Sequence, residues 1–172
     1  MDRPGQDEYA KFYGTYVNRV PEPNLMDLLR GSEEALRADL AGIPDAQAGL
    51  RYLPGKWTVW DVLRHCADTE RVFGLRALWI ARGDDRPIPG FDERLYADTA
   101  SQRPGPPDPV KEELLLLRRA NILLFASFGA DTLLRKGVAN GSAVSVRAIG
   151  YMLVGHWRHH LAVLRERYGL AP

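Results

Sequence analysis

Hydrophobic positions recur at three- and four-residue spacing in four stretches of the chain, and turn-forming residues separate the stretches. The first covers about 24–41, where Leu25, Leu28, Leu29, Ala35, Leu36 and Leu40 mark one face, Asn24 supplies a candidate N-cap, and Gly42 and Pro44 close the run. The second covers about 59–82 behind Pro54-Gly55, with Thr58 as candidate cap. It is apolar on several sides, through Trp60, Val62, Leu63, Val72, Phe73, Leu75, Leu78, Trp79 and Ile80, which suits a helix inside a bundle or at an interface. The third covers about 109–128, with Asp108 as cap and Gly129 as stop. The fourth covers about 144–168, with Ser142 as cap and Gly169 as stop.

No stretch shows strand alternation bounded by hairpin turns, so the pattern predicts an all-α fold, an up-down four-helix bundle in one domain spanning 1–172. PGK at 54–56 and ANGSA at 139–143 lack a phosphate-binding loop pattern and read as turns. The connection from Gly83 to Asp108 carries five prolines with Phe91 and Tyr96, a length at which loops commonly shape a site.

Composition narrows the function classes. The 172 residues are 45% hydrophobic and 26% charged with a net charge of +1, so electrostatics gives no reason to expect nucleic-acid or membrane partners. The lone cysteine, Cys66, cannot close an internal disulfide. The N-terminus lacks an apolar signal region, and no apolar run reaches about 18 residues. A cytoplasmic protein is expected. Cys66 reads as a small buried core residue rather than a nucleophile, and the four tryptophans read as packing.

Three of the four histidines lie in HWRHH at 156–160. His156 and His160 are one helical turn apart and fall on the apolar seam that runs through Ile149, Leu153 and Val163; His159 sits on its flank. Two imidazoles at this spacing can share a metal ion. They can equally be hydrogen-bonded core residues. A peptidase-type motif is not supported, because Trp157 stands where its glutamate would be. In the second helix, His65 shares a side with Val62, Thr69 and Val72 and also points inward; Asp61 and Asp68 flank it as candidate orienting carboxylates.

The segments GKWTVWDVLRHCADTE (55–70) and GHWRHHLAVLRERYG (155–169) resemble the early and late signatures of the DinB/YfiT-like metalloenzyme family. Their separation and the chain length agree with it. The resemblance implies a four-helix bundle, commonly dimeric, with a three-histidine site at His65, His156 and His160. That site would hold a divalent metal, zinc or nickel foremost and iron or manganese next. It further implies a small-molecule substrate and a stress-response setting. The implied activity is transfer to or from a low-molecular-weight thiol acting as co-substrate, or a related hydrolysis. A non-catalytic metal- or small-molecule-binding protein is the alternative.

Overall fold

A computed structural model describes residues 2–102 and 107–170. In chain order it contains α1 (Gly14–Val17), α2 (Leu25–Ala41), α3 (Val59–Ala81), α4 (Glu93–Ala100), α5 (Pro107–Ala126), α6 (Ala130–Leu134), strands β1 (Lys136–Ala139) and β2 (Ser142–Ser145), and α7 (Val146–Tyr168). The four expected helices are α2, α3, α5 and α7. Asn24 caps α2 by accepting from the Met26 and Asp27 amides. Thr58 and Asp61 close a capping box at the start of α3. Gly169, at φ 68°, ends α7 in the left-handed conformation.

Three details depart from expectation. Residues 136–145 form an antiparallel hairpin around Asn140-Gly141, whose positive φ values of 51° and 71° suit a two-residue turn. The strands are only four residues long, too short for alternation to register. The hairpin consumes Ser142, so Ser145 caps α7 instead, accepting from the Ala148 amide at 3.0 Å. Helix α5 ends at Ala126, and Gly129 caps the short α6; the Asp108 side chain, expected as the cap of α5, lies outside what the structure describes.

Cross-helix pairs give the connectivity. Arg64 meets Glu113 and Asn121 meets Glu70, so α3 and α5 run parallel. Trp57 meets Tyr168, so α7 returns antiparallel to α3. Lys111 reaches Ile43, so α2 opposes α5. Around the bundle the order is α2, α5, α3, α7, with direction up, down, down, up. Two parallel neighbours require a long crossover, and residues 82–106 supply it.

That crossover is anchored at both ends. Ile88 pairs with β1, donating to the Val138 carbonyl at 2.9 Å and accepting from the Asn140 amide at 3.0 Å. Ser101 donates to Asp61 at 2.6 Å. Between the anchors, α4 starts at the Asp92 cap. No helix among the described residues is long and apolar enough to cross a membrane.

The core divides into two apolar sections. One joins Leu25 and Leu29, Phe73 and Ile80, Phe125, and Ile149 and Met152. The other joins Leu36 and Leu40, Trp60 and Leu63, Val110 and Leu114, and Trp157 and Leu164. Each long helix carries buried polar side chains where the sections meet: Ser32, His65 with Thr69 and Glu70, Arg118 with Asn121, and His156.

Candidate metal centre

His65, in the second turn of α3, and His156, midway along α7, are both buried, at 4% exposure each. His160 follows one turn later and is half-buried. Their rings converge. The His65 Nε2 lies 3.0 Å from the His156 Nε2, and the His160 Nε2 lies 3.1 Å from the same atom. The ligand atoms of all three lie within 4.8 Å of one another. Antiparallel packing of α3 on α7 brings the two helices' histidines to one level, and i,i+4 spacing does the rest.

Burial holds the imidazoles neutral. Desolvation, reinforced by His159, lowers His65 to about 4. His156 and His160 are pushed well below the ordinary histidine range by burial first and by the neighbouring imidazoles second. A neutral imidazole nitrogen is either a one-proton donor or a one-lone-pair acceptor. The His156 Nε2 can therefore complete a hydrogen bond with His65 or with His160, not with both. A cation among the three nitrogens resolves the conflict, because all three then present lone pairs. Ligands at about 2.0–2.1 Å from a shared ion stand roughly 2.9–3.4 Å apart; the His65–His156 and His156–His160 separations lie within that range, and the three ligand atoms all lie within 4.8 Å of one another.

Aromatic side chains wall the cluster. Trp57 packs on His65 with centroids 5.1 Å apart; the Tyr16 ring meets His156 at 5.0 Å and His159 at 5.5 Å. Tyr16 reaches this position because α1 lies directly on α7 at Gly155, where an added Cβ would sit 2.2 Å from the Tyr16 carbonyl oxygen. Cavities open on two sides. One, of about 470 Å³, borders His156, Thr69, Phe73 and Arg76. The other, of about 620 Å³, borders His160, His159, Trp57 and Tyr168. Glu93, at the start of α4, lines both, so the crossover does shape the space around the histidines.

Asp61 and Asp68 do not orient His65. Asp61 is committed to the α3 capping box and to Ser101, and Asp68 faces Arg71. Both share the face of His65, four residues before and three after it, but their carboxylates are taken by these partners. Cys66 is buried in the apolar section, and desolvation raises its thiol far from the reactive range, as suits a core residue. Thr69 was visible from its phase with His65. Arg76 shares that phase eleven residues on, but its length and charge read as surface. Tyr16 had no such signal, because the N-terminal segment has no periodicity.

The pattern that defines the DinB superfamily matches residues 28–164. A Geobacillus thermodenitrificans protein named "Putative metal-dependent hydrolase" is 32% identical over 149 residues, covering 82% of each chain. A Geobacillus kaustophilus protein of the same description is 32% identical over 151 residues, also covering 82% of each. In three dimensions the chain is similar to Bacillus subtilis YfiT, whose structure is described as "a probable metal-dependent hydrolase with an unusual four-helix bundle topology". The TM-score is 0.74 at 18% identity, covering 99% of this chain and 95% of that one, a likeness of fold.

Proposed function

This chain belongs to the DinB superfamily, and from that premise we propose that residues 1–172 form one metal-dependent enzyme domain acting on a small molecule, with His65, His156 and His160 as the ligands of a divalent ion. The observation that carries the proposal is the convergence of three neutral Nε2 atoms on one point, which hydrogen bonding cannot satisfy. The relatives named as metal-dependent hydrolases support it. All-imidazole ligation suits zinc or nickel, with iron as a further candidate.

When bound, such an ion supplies Lewis acidity and lowers the pKa of a coordinated water or thiol. The chain's own residues do the remainder. Trp57, Tyr16 and Phe73 exclude bulk water from the imidazoles and fix the ring planes. The crossover confines substrate to the two flanking cavities.

Hydrolysis is the first assignment. Transfer involving a low-molecular-weight thiol is a second, favoured by one observation: the buried glutamate of α3, Glu70, is bound to Arg118 and Asn121 and is not available as a base. A thiol needs no such base once a metal has lowered its pKa. Ester and amide substrates on one side, and bacillithiol, mycothiol or glutathione with an electrophile on the other, separate the two. Turnover that disappears on chelation and returns with zinc or nickel is expected in one panel. Turnover unchanged by chelation would overturn the metal-dependent assignment.

A further inference from the structure

The cavity beside His156 contains a second unsatisfied group. Arg76, in the last part of α3, is 3% exposed. The other buried or half-buried arginines among the described residues are matched to carboxylates: Arg64 to Glu113, Arg118 to Glu70, Arg147 to Glu8, Arg158 to Glu22 and Arg165 to Asp39. Among the described residues Arg76 has no acidic partner. Its guanidinium makes two long contacts, to the Tyr13 hydroxyl at 3.3 Å and the Pro89 carbonyl at 3.5 Å, and its Nε has no partner at all. It lies over two aromatic rings, Phe73 and Phe91, each 5.9 Å from its central carbon. Two elements remote in sequence, α3 and the crossover, thus hold a desolvated cation with its hydrogen-bonding capacity largely unspent. Arginine held against aromatic rings presents a flat fork suited to an oxyanion.

A second orphan lies along the same wall. Thr69 is 3% exposed, its hydroxyl is buried without a partner, and it lines the same cavity. The two are ordered along α3: His65, then Thr69, Phe73 and Arg76 at successive turns. Phe73 links the ends, its centroid 6.0 Å from the His156 ring and 5.9 Å from the Arg76 guanidinium, so the His156 ring and the guanidinium are at most about 12 Å apart. Two carboxylates, Asp92 and Glu93, also border the cavity. Both are exposed, and Asp92 is turned to the amides of Arg94 and Leu95. Solvent screens them at the mouth, whereas Arg76 is shielded from solvent.

We propose that this cavity binds its substrate through an oxyanion, a carboxylate or a phosphate, seated on Arg76, with the Thr69 hydroxyl taking a polar atom of the substrate on the way to the histidines. The class is therefore a small anionic molecule whose reacting bond lies within about 12 Å of its charged group. This rests on the metal-centre assignment for the reacting end; the anion end stands on Arg76 and Thr69 alone.

The test measures binding of inorganic phosphate and, separately, of succinate to the purified full chain by calorimetry, with and without bound zinc. Saturable binding of one or both in the metal-free protein is expected, and the stronger of the two identifies the oxyanion. Arg76→Gln is expected to weaken it at least tenfold, Arg76→Lys less, and Thr69→Val severalfold; Arg158→Gln, which removes a cation bordering another cavity, leaves it unchanged. His156→Ala retains it. Should Arg76→Gln fail to fold, Arg76→Lys and Thr69→Val carry the decision. Binding that appears only with zinc, that is absent in both states, or that is equal in wild type and the Arg76 and Thr69 variants overturns the proposal. Metal content, measured on the same samples, is expected to be unaffected by Arg76→Gln, so loss of the anion site and loss of the metal site are told apart.

Discussion

Where the two apolar sections of the core meet, α3 contributes to two buried polar clusters of opposite character. On the side facing α5, Glu70, Arg118 and Asn121 pair with one another, with the Arg118 Nη1 left without a partner. The Arg118 Nε donates to Glu70 at 3.0 Å, its Nη2 donates to Glu70 and to the Leu153 carbonyl, and Asn121 donates to the second carboxylate oxygen at 2.8 Å. On the side facing α7, three imidazoles crowd one point and cannot all be paired. His65 and His156 are as buried as Glu70, Arg118 and Asn121, with His160 half-buried; complementarity is what differs. A polar cluster that satisfies itself serves to fix helix register, while one that requires an outside partner is built for a ligand.

The comparison breaks most visibly on the satisfied side. Arg118→Ala or Glu70→Ala leaves one buried charge uncompensated, and chemical denaturation is expected to show a loss of about 3–5 kcal/mol. Replacing both by leucine is expected to recover most of it. On the imidazole side, His156→Ala in chelator is expected to cost less than either single change. The larger difference appears with metal: wild type gains about 2.7 kcal/mol at an ion concentration of 100 times Kd, and the variant gains none.

A third cluster, where Glu8 meets Ser145 and Arg147, belongs to the satisfied type. Burial opposes ionisation of Glu8, but hydrogen bonds from Arg147, the Gly5 amide and Ser145 outweigh it and hold the carboxyl at about 2, below its ordinary 4.5. Its contribution is therefore fully present above about pH 4.5 and is lost as pH falls towards 2. Glu8→Gln is expected to lower stability at neutral pH by about 1–3 kcal/mol and to flatten the acid limb of a denaturation profile between those values. The smallest effect belongs to Thr69→Val. An orphaned hydroxyl exchanged for a methyl of the same shape leaves stability unchanged or slightly raised, and thermal unfolding checks this.

The long helices were legible because their seams repeat over more than four turns and their caps are local: Asn24, Thr58 and Gly169 act within a few residues of where they stand. The hairpin was not, because four-residue strands carry almost no periodicity and ANGSA announces only the turn. The parallel pairing of α3 with α5 follows from the length of the crossover, whose composition alone reads as loop although it contains α4. Among site residues, His156 and His160 were visible as a pair on one seam. Their meeting with His65 is a tertiary fact, to which the family resemblance pointed and which helix phase alone could not supply. Asp61 misled because its sequence distance from His65 says nothing of the capping box that claims it. Arg76 and Tyr16 owe their places to the crossover and to the close approach at Gly155.

The central claim, that His65, His156 and His160 together hold a divalent ion, is tested most directly by titrating zinc into chelator-treated protein and into the His65→Ala, His156→Ala and His160→Ala variants while counting bound metal. One ion per wild-type chain, with each substitution weakening it by orders of magnitude, is the predicted result. Absence of stoichiometric binding in wild type, or full retention after all three substitutions are combined, would contradict it.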